Sequence, residues 1–154
     1  MSLSLFDELR VLVSALEERE IGYALVGALA LAMHGAPRAT TDIDVLVRPE
    51  DVDRVVEQTK AQGFRFEALP IRFSDGMEVR RVTKIEAEDP FETLTIDLLL
   101  VNENLESVWE SRRRLEADFG AMWVISRDAL IRMKTWAGRD RDLADIRRLE
   151  ELDR

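Results

Sequence analysis

HGAPRATTDIDVLV, residues 34–47, sets two aspartates, Asp42 and Asp44, at the mouth of an otherwise apolar strand. Side chains alternate between the faces of a strand, so Asp42 and Asp44 share one face while Ile43, Val45 and Val47 turn into a core. Two like charges on one face repel, and partial burial raises the cost. The pair therefore demands either full solvation or a compensating cation. Upstream, YALVG (23–27) reads as a short strand ending in glycine, and ALALAMHG (28–35) as a small-residue helical turn stopped by Gly35 and Pro37.

Composition limits what the compensation can be. A chain of 154 residues with 46% hydrophobic and 34% charged residues suits one globular domain over 1–154. No apolar run approaches membrane-spanning length. The opening MSLSLFDELRVLVSALEERE lacks a basic leader and reads as an amphipathic helix, with Leu5, Leu9, Leu12 and Leu16 as its stripe. Without cysteine, disulfides and thiolate zinc sites are excluded, and a single histidine excludes a histidine-rich metal site. The compartment expected is the cytoplasm, with no membrane partner. A net charge of −9 disfavours broad binding to nucleic acid. The clusters Arg80-Arg81, Arg112-Arg113-Arg114 and Arg147-Arg148 read as ordinary solvated surface.

Further along, residues 49–63 form an expected helix, with Pro49 near its start and Gly63 at its end. Strands are expected around 64–68, 78–87, 93–101 and 121–126, and helices near 104–114, 126–137 and 140–152. Strands interspersed with helices imply an α/β (α+β) domain built on a mixed β-sheet flanked by helices.

Asp97 stands alone inside the apolar run TLTIDLLLV (93–101). If its strand neighbours that of Asp42 and Asp44, it becomes a third ligand, and three convergent carboxylates make a hard oxygen-only site suited to Mg²⁺. Such a site holds a nucleoside triphosphate by its phosphates. Gly27, between a strand and a helix, lets the backbone approach a phosphate closely. Arg38 supplies a cation between the glycine and the acid pair.

The glycine turn Gly27-Ala28, the pair Asp42 and Asp44, and the later Asp97 resemble the signature of the DNA polymerase beta-like nucleotidyltransferase superfamily. Arg38, Thr40, Asp42 and Asp44 match the Arg-x-Thr-x-Asp-x-Asp run of a small branch with minimal nucleotidyltransferases and abortive-infection nucleotidyltransferase toxins. MKTWAGRDRDLADIRRL supplies the late block of that branch as Lys134, Arg139, Arg141-Asp142 and Asp145. The resemblance runs from about residue 23 to 149. It implies the nucleotidyltransferase fold and transfer of a nucleoside monophosphate from a triphosphate to an acceptor hydroxyl with two Mg²⁺ ions. Asp42, Asp44 and Asp97 would be the metal ligands, with Asp97 the candidate general base. Gly27, Ala28, Arg38, Thr40, Lys134, Arg139, Asp142 and Asp145 would surround the nucleotide, with Arg38 or Lys134 facing pyrophosphate. RNA, a protein side chain or a small molecule all remain open as acceptor, as does a toxin–antitoxin or phage-defence role.

Ala28 departs from the glycine or serine common at its position, so a serine hydroxyl contact to phosphate is lost. A nucleotide-binding regulator or antitoxin with weak catalysis is therefore the alternative. Residue by residue, plainer readings exist too. Asp142 can cap the last helix with Asp145 in its first turn. His34 reads as a helix-end residue, and Trp109, Trp123 and Trp136 read as core.

Overall fold

The computed structural model describes residues 3–152. Met1 and Ser2, which begin the expected first helix, lie outside the described residues. Helix α1 (Leu5–Glu18) starts at Ser4, whose hydroxyl accepts from the Asp7 N–H, and buries Leu9, Leu12, Val13 and Leu16. Strand β1 (Ala24–Val26) leads into α2 (Gly27–Met33), and β2 (Asp42–Val47) carries the acid pair. Pro49–Asp51 form a 3-10 turn before α3 (Val52–Ala61). Then come the short strands β3 (Phe66–Glu67) and β4 (Ile71–Arg72), and the long strands β5 (Glu78–Ile85) and β6 (Thr93–Leu100). After α4 (Glu106–Glu110) follow β7 (Arg113–Ala117), β8 (Gly120–Val124), α5 (Arg127–Ala137) and α6 (Asp140–Glu151).

The strands form one mixed sheet in the order β3-β5-β6-β2-β1-β8-β7, with β4 paired to β5. β2 lies between antiparallel β1 and parallel β6, and the register sets Asp44 beside Asp97. β5 runs antiparallel to β6, and Arg81 is the partner of Asp97. Alternation then separates two faces. Ile43, Val45, Val47, Val82, Ile96 and Leu98 are all at 0% exposure on one face. Each such burial is worth roughly 1.5–3 kcal/mol. The opposite face of the same three strands carries Asp42, Asp44, Arg81 and Asp97. The apolar face anchors the strands so firmly that the acids cannot slip to solvent without moving the core, because a one-residue shift would exchange the faces.

The sequence expectations are corrected at two places. The helix expected near 104–114 ends at Glu110, and Arg113–Ala117 instead pairs antiparallel with β8. A free edge on β8 recruits that segment, so tertiary pairing overrides local helical spacing. Strand β5 was expected, but β4 and the hairpin it forms with β5 were not. The hairpin turns at Asp75-Gly76, where the Asp75 carboxylate accepts from the Met77 N–H at 3.0 Å and Gly76 takes φ +89°. Among the described residues, no helix is long and apolar enough to cross a membrane.

Candidate active site

Asp42, Asp44 and Asp97 line one cleft of about 980 Å³. Its floor is the polar face of β2 and β6. One wall is the β4–β5 hairpin with Ile71, Phe73 and Met77, and the other is α5 and the start of α6. Gly27 borders the acids and takes φ +66°, where a side chain is strained. A Cβ at this position would also collide with the Asp44 carboxylate. The glycine therefore serves the acid as well as the turn: it leaves the space that Asp44 fills.

The acids are not electrostatically at rest. Burial, then the charges of Asp97 and Asp42, push the Asp44 carboxyl up to about 7, against the pull of Lys134 and Arg141. Asp97, only 7% exposed, is compensated by Arg81, which donates from Nε at 2.8 Å and from Nη2 at 3.0 Å to its two oxygens. Among the described residues, no group of three carboxylates or imidazoles is gathered to enclose a cation as it stands. Both Asp97 oxygens accept from Arg81, so a cation that engages this carboxylate meets a guanidinium already bonded there. In kind, the donors fit Mg²⁺: three carboxylates on one face, one of them raised to about 7 by burial and by the charges of the other two.

Arg81 was missed as a site residue, because it read as part of a solvated basic cluster. Only the β5–β6 register reveals its role.

The remaining candidates divide between cleft and scaffold. Lys134, 5% exposed, points its ammonium at Asp145 (2.9 Å) and Asp142 (3.7 Å) while bordering the cleft. Arg38 donates to Asp145 at 3.1 Å. Arg139 donates to Asp142 at 2.7 Å. Burial opposes ionisation of Asp142 and Asp145. Their bonds and charges from Arg139, Lys134 and Arg38 prevail, holding both carboxyls below the usual carboxylate value. Asp142 accepts from the Arg139 N–H at 3.3 Å, three residues into its helix rather than at the cap, and Asp145 lies in the next turn. Thr40 accepts from the Asp42 N–H at 3.1 Å and so fixes the start of β2. Ala28 is buried and does not reach the cleft.

His34 closes α2 and bonds the Ile125 carbonyl at 2.8 Å, away from the acids. Trp109 is buried beneath Arg112, whose guanidinium stacks 3.9 Å from its ring centroid, so that arginine is no plain surface residue either. Trp136 breaks the core expectation: it is 58% exposed and lines the cleft. Arg141, which sat in the late block without being singled out for the nucleotide, also lines it.

A glycine turn leading to two carboxylates on one strand, with a third beside them on a parallel neighbour, defines the nucleotidyltransferase class of fold. The sequence matches the family described as nucleotidyltransferase of unknown function (DUF6036) over residues 3–153, and the chain belongs to that family. No functionally curated protein matches it. Among solved structures, the Thermotoga maritima protein TM1012 aligns at 16% identity, covering 97% of this chain and 96% of its own, with a TM-score of 0.61. The lincosamide antibiotic adenylyltransferase LnuA, lincomycin-bound, aligns at 13% identity over 97% of this chain and 98% of its own (TM-score 0.65). ANT(2'')-Ia in complex with adenylyl-2''-tobramycin aligns at 14% identity over 94% and 86% (TM-score 0.64). At these identities the likeness speaks for the fold.

Proposed function

We propose that this nucleotidyltransferase moves a nucleoside monophosphate from a Mg²⁺-bound nucleoside triphosphate to an acceptor hydroxyl, with Asp42, Asp44 and Asp97 as its catalytic and metal-holding groups. The observation that carries the reading is the side-by-side register of Asp44 and Asp97 at the floor of the cleft that Gly27 borders. When bound, Mg²⁺ lowers the pKa of the acceptor hydroxyl and offsets charge on the attacking and leaving oxygens. Asp42 and Asp44 hold the nucleotide end, and Gly27 admits phosphate close to its backbone. Asp97 takes the hydroxyl proton as the oxygen bonds to the α-phosphorus, and the bond to the departing pyrophosphate breaks. Arg81, bonded to both Asp97 oxygens, lies against the base. Lys134, Arg38 and Arg139 hold Asp142 and Asp145 in place beneath the nucleotide, so α5 and α6 stay in register with the acids.

The acidic chain favours a small hydroxylated molecule or a protein side chain over an RNA acceptor. Small-molecule acceptors are consistent with the fold's use by the lincosamide enzyme and by ANT(2'')-Ia. The reading extends to a toxin–antitoxin or phage-defence role, supported by the sequence resemblance alone. Growth arrest on expression, cancelled by Asp97→Asn, is the measurement for it.

The direct test is incubation with each labelled triphosphate, Mg²⁺ and fractionated cell extract, for wild type and Asp97→Asn. Label enters one fraction with wild type only, while triphosphate binding survives in the variant. Wild-type binding without transfer to any fraction would instead support the regulator reading that Ala28 motivates.

A further inference from the structure

Trp136 is the last but one residue of α5; it lines the cleft and is 58% exposed, where tryptophan is usually covered. Its ring makes no ring contact, and its indole no hydrogen bond, with the described residues. On the same lip of the cleft, at the start of α6, stands Arg141. The other cations of this lip are taken: Lys134 and Arg139 bond Asp145 and Asp142. Arg141 is the one of these three that makes no hydrogen bond or ion pair with the described residues, and its charge acts on Asp44. A flat apolar surface and an uncommitted guanidinium thus border one acid-lined cleft, and neither has a hydrogen-bond or ion-pair partner among the described residues.

Resting on the nucleotidyltransferase reading, we propose that Trp136 and Arg141 form the nucleotide subsite: the base stacks on the indole and the triphosphate meets the guanidinium. Stacking reads a π-face rather than a hydrogen-bonding edge, so preference follows stacking strength. The subsite therefore takes purine nucleoside triphosphates ahead of pyrimidine ones. The nucleotide then occupies the α5–α6 side, and the hairpin wall of Ile71, Phe73 and Met77 is left to the acceptor.

The test measures binding of ATP and CTP with Mg²⁺ by thermal stabilisation and by quenching of tryptophan emission. Wild type, Trp136→Ala, Trp136→Phe and Arg141→Gln are compared. In wild type, ATP quenches emission and binds more tightly than CTP. Trp136→Ala loses the quench, binds ATP about tenfold more weakly and no longer separates ATP from CTP, whereas Trp136→Phe keeps most of the affinity. Arg141→Gln weakens ATP about tenfold and leaves adenosine unchanged, which a merely structural role would not do. Wild-type affinity in Trp136→Ala and Arg141→Gln, with ATP still stabilising all proteins, overturns the subsite and leaves the nucleotidyltransferase reading standing. Absence of stabilisation of wild type by either triphosphate overturns both.

Discussion

The molecule holds two clusters of aspartate, and they differ in how their charge is met. On α6, Asp142 and Asp145 are buried against Lys134, Arg38 and Arg139, and their carboxyls ionise more readily than usual. On the sheet, Asp42, Asp44 and Asp97 share one bound cation, Arg81, and Asp44 is held near 7. The same residue type is settled in one place and frustrated in the other. A settled cluster is what scaffolding requires. A frustrated cluster costs folding energy unless Asp44 takes up a proton or a cation offsets the charge, and such perturbed carboxyls are enriched at functional sites. The contrast also separates the cations: those bonded within the α6 cluster hold the frame, and Arg141 stays available.

The sharpest way to break the contrast is to unsettle the α6 cluster. Lys134→Met leaves Asp142 and Asp145 buried with less compensation and should destabilise the fold by about 3–5 kcal/mol, measured by urea denaturation. A loss below 1 kcal/mol would mean that Arg38 and Arg139 suffice and that Lys134 is free for phosphate.

Asp44→Asn works on the other cluster and carries the opposite sign. A carboxyl raised to about 7 in the folded state takes up a proton on folding, so it costs nothing below its unfolded value of about 4. Stability is lost as pH rises from there through about 7. In chelator, the variant should therefore be more stable than wild type at pH 8, and the difference should vanish towards pH 4. A pH-independent difference would remove the electrostatic account. Added Mg²⁺ should narrow the gap at pH 8 by stabilising wild type.

Gly27→Ala meets both the positive φ and the Asp44 carboxylate, and should cost about 1–2 kcal/mol from backbone strain alone. Combining it with Asp44→Gly relieves the collision but not the strain. A double-mutant cycle therefore measures how much of the glycine's value lies in making room for the acid. The smallest effect is expected from Arg81→Gln. It removes a half-exposed partner from Asp97 and should cost about 1 kcal/mol in chelator. The same change should lower the Mg²⁺ concentration needed for thermal stabilisation, since the cation no longer competes with a guanidinium. An unchanged Mg²⁺ midpoint would show that Arg81 and the ion do not share Asp97.

Much of this was legible before folding. Alternation in DIDVLV put Asp42 and Asp44 on one face, and an acid inside TLTIDLLLV marked Asp97, because each signal lies within a few residues of chain. The limits of α5 were readable for the same reason: Ser126 caps its start, and Gly138, with φ +63°, closes its end. What misled was equally local. Residues 104–114 carry a helix-like spacing, yet Arg113–Ala117 obey the open edge of β8, which no neighbouring residue announces. Trp136 has the composition of a core residue and the position of a cleft residue, and composition says nothing of position.

The sequence by itself determined the strands that carry the acids, the glycine before them and the family in which these occur together. Those properties rest on periods of two and 3.6 residues and on single-residue backbone preferences. Only the tertiary structure decided which cation meets which carboxylate. Arg81 reaches Asp97 through strand register, Arg38 reaches Asp145 across 107 residues, and Arg141 makes no hydrogen bond or ion pair among the described residues. Coulomb energies depend on distances of a few ångströms and on local burial, and both are set by the packing of elements far apart in the chain.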